Sequence, residues 1–330
     1  MTAQQVKNIL QQNSFIARYK SIIIISAKLL IALGLLVYLV YAVNFQEILT
    51  AIQQSNRYLI AAAFLLTFLN VYLQFYKWKI TANVVLQENH NTKIWLSLFY
   101  GFSAGIFTPA RIGEYFGRAI VFKNQSLLRV TLATLLDKIF LLIVVAFFGA
   151  ISSILFMHYQ YKVTFYITLG LFLLIFTLFY LLVLLLFNDK FWDNVLFIKL
   201  RDSIKLHWLF EKIKIFRKLD KNYATKMFAV SLLFYLCFLI QYALLVSAFS
   251  NHNQFWNYMW AGNLMMFAKT LIPPVSIGEL GIREGASVFF ITQLGESAST
   301  GFNASIFLFF INVLIPSLIG LTLLLKKNND

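Results

Sequence analysis

The 330-residue chain is 60% hydrophobic and only 12% charged, which excludes an ordinary soluble domain, where about 25% of residues are charged. Its net charge of +15 would suggest nucleic acid as the partner of a soluble protein. In a membrane protein, the positive-inside rule and anionic lipid headgroups explain it. The single cysteine, Cys237, excludes an intrachain disulfide, and the four histidines have no metal-ligand spacing. The composition predicts an all-α polytopic membrane protein without metal, cofactor or nucleic-acid partner.

Six stretches are apolar enough to cross a bilayer, which takes about 20 residues. Two other apolar regions, 94–122 and 255–294, are interrupted by proline and by charges. We predict that both are re-entrant hairpins, because non-helical backbone at membrane depth must be buried in protein or line a wet cavity. The alternative is that both are full spans. The six predicted spans are roughly 21–43, 58–76, 131–156, 163–187, 226–249 and 301–325.

Basic residues predict which side of the membrane each segment faces. If both hairpins are re-entrant, every basic segment falls on one side, and the positive-inside rule makes that side the cytoplasm. The N-terminal segment, 1–20, and the tail, 326–330, are then both cytoplasmic. Counting the hairpins as full spans breaks this pattern. The basic residues concentrate before the first span, after the second (Lys77, Lys79, Lys93), after the first hairpin (Lys123, Arg129), in 188–225 and at Lys326 and Lys327.

The spans form a single transmembrane domain, 21–325, with two similar halves, about 21–156 and 163–325. The second span runs inward and its counterpart, 226–249, runs outward, so we predict an inverted-topology repeat, a common build of secondary transporters. In the connection 188–224, apolar residues recur every three or four places with lysines between them. This pattern favours an amphipathic helix on the inner leaflet, with partner binding as the alternative.

Two charged motifs repeat the same pattern half a chain apart. Charge at membrane depth costs at least ~2.5 kcal/mol per group on insertion scales. Its placement beside helix-breaking proline and glycine in both halves therefore indicates a site. Pro109, Ile112, Gly113 and Glu114 are matched by Pro274, Ile277, Gly278 and Glu279 at a constant offset of 165 residues.

The residue types in these motifs suit a phosphate-bearing headgroup. The arginines offer forked donors for phosphate, the glycines permit close approach of a ligand, and the glutamates can balance the arginines in an empty site. Asp137 can pair with an arginine of the hairpin, or form an interfacial pair with Lys138. The alternative for the whole set is structural ion pairs that lock the hairpins together. The candidate binding residues are Pro109, Arg111, Gly113, Glu114, Arg118, Asp137, Pro274, Gly278, Glu279, Gly281, Arg283 and Glu284.

The motifs resemble those of the lysylphosphatidylglycerol synthase transmembrane-region family. The resemblance rests on Pro274-x-Ser276-x-Gly278-x-x-Gly281-x-Arg283-Glu284 and on Pro109-x-Arg111-x-Gly113-Glu114, and it covers roughly 20–325. It adds Ser276 to the candidate binding residues. Two positions depart from the pattern: Glu279 stands where the family more often has Gly, and Arg118 lies one residue later than the usual basic position.

The resemblance implies a flippase-like protein of a bacterial-type plasma membrane that translocates lipid. Full-length synthases carry a soluble C-terminal aminoacyltransferase domain, whereas this sequence stops at Asp330, so aminoacyl transfer is not expected.

The leading interpretation is a transporter that moves an anionic phospholipid or a polyprenyl-phosphate-linked lipid across the plasma membrane. The headgroup would pass between the two hairpins. The alternative is a membrane-embedded enzyme of lipid or glycan metabolism, such as a lipid-linked transferase, with Glu114, Glu279 or Asp137 as acid or base. A further alternative is a non-transporting assembly protein, which has no need for paired buried charges.

Overall fold

The computed structural model describes residues 45–106, 108, 111–187, 221–272 and 281–327, and all regular structure in these ranges is helical. The predicted all-α class is therefore confirmed. Two short π-helical turns, Ala82–Leu86 and Phe310–Leu314, interrupt or extend the longer helices. The α-helices are α1 Phe45–Gln53, α2 Arg57–Thr81, α3 Asn91–Ile106, α4 Gly113–Ala119, α5 Leu127–Gln160, α6 Phe165–Phe187, α7 Lys221–Ser250, α8 Phe255–Leu271, α9 Ile282–Gln293, α10 Ala298–Phe309 and α11 Ile315–Lys327.

Within the described ranges, five helical segments are long and apolar enough to cross a membrane. They match the second to sixth predicted spans, so the prediction of a multi-pass membrane protein is confirmed. The first predicted span, 21–43, lies outside the described residues, as does the connection 188–224 up to residue 220. The five segments are Arg57–Leu86, Leu127–Gln160, Phe165–Leu182, Lys221–Ser250 and Ala298–Lys326.

Helix α2 continues past the predicted second span, and this changes the placement of Lys77. From the sequence we predicted that Lys77 lies in a basic connection after the second span. This prediction is wrong, because Lys77 lies within α2 and is only 5% exposed. A lysine can be buried among helices when a carboxylate lies nearby. Here that carboxylate is Asp137 on α5.

Helices α2 and α7 run antiparallel, side by side over their whole length. At one end the Asn56 N–H donates to the Ala248 carbonyl (2.9 Å), and at the other the Thr81 and Tyr223 hydroxyls lie 3.0 Å apart. Helix α7 is the most enclosed span, with 67% of its most apolar stretch buried, against 6% for α6. Helix α7 therefore forms the centre of the described domain, and α6 lies at its periphery.

Buried amides join α7 to α2 and to the second π-helical turn. The Gln241 Nε2 donates to the Ala63 carbonyl (3.0 Å), and Asn70 Nδ2 and Asn312 Nδ2 both donate to Gln241 Oε1 (3.3 and 3.0 Å). A polar group in hydrocarbon must find a partner inside the protein. The amides therefore fix how these three segments lie against one another.

Helices α3 and α4 form a tight antiparallel hairpin within the predicted region 94–122. Two glycines on α4 permit the close approach: a Cβ on Gly113 would overlap the Ala104 carbonyl oxygen, and one on Gly117 would overlap that of Tyr100. The backbone of α4 therefore lies directly against α3, which no larger residue at these positions would allow.

The two ends of this first hairpin lie together beside the end of α2. The Gln125 side chain, after the hairpin, donates to the Leu86 carbonyl before it (3.0 Å), and Arg129 Nε donates to the Val85 carbonyl (2.9 Å). The chain therefore returns to the place from which the hairpin starts.

Helices α8 and α9 form a second hairpin within the predicted region 255–294. Its two ends also lie together, because Glu296 accepts from the Tyr258 hydroxyl (2.5 Å) and lies 3.1 Å from His252 Nδ1.

The helices that follow the two hairpins begin alike: Ser126 caps the first turn of α5, and Ser297 caps that of α10. A serine cap satisfies an N–H group at a helix start that has no partner within the helix.

Candidate functional site

Arg118, on α4, lies at the centre of a buried charge cluster. Its Nη2 donates to Glu114 Oε1 (2.6 Å) and its Nη1 to Asp137 Oδ2 (3.0 Å). The guanidinium also stacks on the Trp78 ring, 4.3 Å from its centroid. Gly101, on α3, makes room for this side chain, since a Cβ there would come within 2.8 Å of Arg118 Cγ. Arg118 therefore connects the hairpin to α5 and α2.

The second carboxylate oxygen of Glu114 faces two further cations. Lys138 Nζ lies 2.8 Å from Glu114 Oε2, and Arg111 Nε lies 3.7 Å from the same atom. The Lys138 and Arg111 side chains are 34% and 23% exposed, whereas that of Glu114 is 4% exposed. Two partly exposed cations thus share one oxygen of a buried carboxylate.

Asp137, on α5, faces the hairpin, as one of the two sequence interpretations expected. Besides accepting from Arg118, it has its Oδ1 3.6 Å from Lys77 Nζ on α2. That oxygen is buried and accepts no hydrogen bond. Asp137 therefore balances two buried cations at once.

Arg111 is held in an unusual backbone conformation at the tip of the hairpin. Its φ is +53°, in the left-handed region that a non-glycine residue rarely occupies. Thr108 shapes this turn: its carbonyl accepts from the Arg111 N–H (3.1 Å) and its Oγ1 from the Gly113 N–H (2.7 Å). Arg111 Nε is buried without a hydrogen bond. Backbone strain of this kind persists only where the surrounding structure maintains it, and it is concentrated at functional sites.

The second motif forms a closed ion pair instead. The Arg283 Nη2 makes a short contact with Glu284 Oε1, and its Nε donates to Glu284 Oε1 and to Ser305 Oγ (both 3.1 Å). Glu284 Oε2 accepts from the N–H of Gly281 (2.6 Å), whose φ of +89° favours glycine. The Arg283 and Glu284 side chains are 3% and 0% exposed. This pair locks the start of α9 onto α10.

The structure separates the predicted site residues into three groups. Arg111, Gly113, Glu114, Arg118 and Asp137 come together in the first hairpin. Gly281, Arg283 and Glu284 come together in the second. Outside the described residues lie Pro109, Pro274, Ser276, Gly278 and Glu279.

Arg118 and Arg283 occupy equivalent places in the two hairpins. They are separated by the same 165 residues as the motifs. Each lies on the outgoing helix, pairs with a glutamate of that helix, bonds to a side chain on the next long helix and stacks on an aromatic ring. The correspondence extends the sequence repeat to these two arginines.

Sequence reasoning missed several members of the first cluster. Lys77 and Trp78 lie on α2, far along the chain from Arg118, and nothing in the sequence indicated that α2 packs against the hairpin. Lys138 was considered only as an interfacial partner of Asp137, yet it pairs with Glu114. The available signal was that an ionisable residue within an apolar segment must find a partner.

Comparison with known proteins agrees with this multi-pass architecture. The family model described as Lysylphosphatidylglycerol synthase TM region matches residues 25–320. The chain belongs to this family, as the resemblance of its motifs predicted, and it is therefore a membrane protein of lipid metabolism or transport. No curated protein and no solved structure matches the chain.

Proposed function

We propose that the protein translocates a lipid with an anionic headgroup across a plasma membrane, and that the headgroup phosphate binds between Arg111 and Lys138. One observation carries the proposal: these two partly exposed cations share a single oxygen of Glu114. Arginine offers a planar fork of donors and lysine a mobile point charge, and both groups bind phosphate oxygens. The acyl chains would stay in the bilayer while the headgroup passes through the protein.

Glu114 would act as the counterion that the phosphate displaces. In the empty site it holds Arg111 and Lys138, because an unpaired cation at this depth is costly. When a phosphate arrives, the two cations exchange Glu114 for the ligand. When the phosphate leaves, they return to Glu114, which gives the site a way to release its ligand.

The hairpins would be re-entrant and open to opposite faces of the membrane. Each hairpin begins and ends at one place, the first beside the end of α2 and the second beside the end of α7. Because α2 and α7 are antiparallel, these places lie at opposite ends of the domain, which supports an inverted-topology repeat. The first hairpin would open to the cytoplasm, with both chain termini on that side, as the basic residues favour.

The second motif would complete the headgroup path near the midplane. The Arg283–Glu284 pair anchors α9, and Ser276, Gly278 and Glu279 of the same motif would contribute to headgroup binding. Glu279 is the sequence counterpart of Glu114 and would assist release of the headgroup in the same way.

A headgroup-accessibility assay in vesicles that contain only the purified protein tests this function. A transporter moves labelled lipid between the leaflets, so a membrane-impermeant quencher reaches more label than in protein-free vesicles. A lipid-linked transferase converts the lipid chemically, and an assembly protein does neither. Unaltered lipid that stays in its leaflet, with anionic phospholipids and with polyprenyl phosphates alike, would refute the proposal.

Cysteine labelling should report the hairpin topology. In a Cys237→Ser background, His90→Cys and Lys123→Cys flank the first hairpin, and Asn253→Cys and Thr292→Cys lie at the two ends of the second. All four parent residues are exposed. We expect an impermeant reagent to label the first pair from one side of the membrane and the second pair from the other. Labelling of positions 90 and 123 from opposite sides would mean that the first hairpin spans, and the inverted repeat would then fail.

A further inference from the structure

The first-hairpin cluster carries more positive charge than it can balance. Lys77, Arg111, Arg118 and Lys138 are joined by ion pairs to only two carboxylates, Glu114 and Asp137. Four cations against two anions leave a formal charge of +2 in the described cluster. Uncompensated charge in a desolvated site is strongly unfavourable, so an anion that enters it is stabilised.

Two of the four cations in the described cluster are partly exposed. The Lys77 and Arg118 side chains are 6% and 3% exposed and are both paired with Asp137. Arg111 and Lys138 are the partly exposed cations, and they compete for Glu114 Oε2. A ligand that approaches the cluster therefore meets these two cations first.

The described ion pair of the second motif carries no such excess. Arg283 and Glu284 form a pair of zero net charge, with both side chains buried. The corresponding arginines of the two motifs therefore differ in their surroundings: Arg283 lies in a neutral pair, and Arg118 lies in a cluster with excess positive charge.

We propose that this site selects lipids whose phosphate carries two negative charges, a phosphate monoester or a diphosphate, over phosphodiester lipids that carry one. The inference rests on the proposed function and specifies its substrate class. A monoester carries about −1.5 to −2 near pH 7 and has three acceptor oxygens, whereas a diester carries one charge and has two free oxygens. Only the doubly charged group neutralises the cluster, and its third oxygen allows Arg111 and Lys138 to bind it together.

Two ligands with the same tail test this selection. Dodecyl phosphate is a monoester, and methyl dodecyl phosphate is the matching diester. With the whole protein in phosphatidylcholine nanodiscs at about pH 8, where the monoester is doubly ionised, calorimetry should give a Kd at least about tenfold lower for the monoester. Lys138→Gln removes one accessible charge and should narrow this preference to within about threefold. The matched control is Lys162→Gln, at an exposed position outside the cluster, and it should keep the full preference.

The affinities of the two ligands at lower pH provide a second test that needs no variant. Near pH 5 the monoester loses its second charge, since its second pKa is about 6, and its advantage over the diester should disappear. Equal affinities for the two ligands at about pH 8, where both charges are present, would overturn the selection of dianions and leave the proposed transport intact. Binding of neither ligand, together with no lipid movement in vesicles, would refute both proposals.

Discussion

Asp137→Asn should strongly destabilise the protein. Asp137 accepts from Arg118 and balances Lys77, and all three side chains are buried. Removing its charge leaves those two cations without their shared anion, and breaking a buried ion pair costs ~3–5 kcal/mol. We expect the apparent melting temperature in detergent to fall by on the order of 10 °C.

Two further variants make this result specific. Glu47→Gln is the matched control, because it removes a carboxylate charge from an exposed position on α1 and should leave the melting temperature unchanged. The double variant Lys77→Met/Asp137→Asn restores the charge balance of the parent cluster and should recover part of the lost stability. If Asp137→Asn melts at the parent temperature, the cluster is not the electrostatic anchor described above.

Glu114→Gln should slow lipid release while it preserves lipid binding. The amide still fits, but it can no longer draw Lys138 and Arg111 back from a bound phosphate. We expect the affinity for a phosphate lipid to be at least that of the parent, and lipid movement to be about tenfold slower, as expected from losing roughly 1.4 kcal/mol of help in release. Glu279→Gln, at the counterpart position of the second motif, should have the same effect.

The competing explanation is that Glu114 has a structural role only. In that case Glu114→Gln should lower the melting temperature and the expression level, and the protein that folds should have normal transport activity. Melting temperature, lipid affinity and transport rate measured on the same preparations separate the two roles, with Glu47→Gln again as the control. Loss of stability with unchanged turnover would discard the release mechanism.

The helical architecture could be predicted from sequence, because long apolar runs have few alternatives in a bilayer. The ends of the helices were less accurate. Hydropathy falls at the first lysines, so the second span was predicted to end at residue 76, yet α2 continues to Thr81. It can do so because Asp137 compensates Lys77 inside the protein.

The candidate site could be predicted only in part. Charge beside proline and glycine in both halves indicated Arg111, Glu114 and Arg283, because ionisable residues in apolar segments need partners. Which helices supply those partners depends on tertiary packing, and a local sequence pattern does not reveal how distant helices pack. Lys77 was therefore missed. The excess positive charge of the first-hairpin cluster was missed for the same reason.

The transport activity of the Arg111→Lys variant tests most directly whether Arg111, at the tip of the first hairpin, binds the headgroup phosphate. Lysine keeps the charge and loses the forked donors. We predict lipid movement in vesicles lower by at least about tenfold, since a charge-assisted hydrogen bond is worth roughly 1.5–3 kcal/mol, at an unchanged melting temperature. The matched variant Arg283→Lys changes the closed pair and should lower the melting temperature. An Arg111→Lys protein that moves lipid as fast as the parent would contradict phosphate binding at this site.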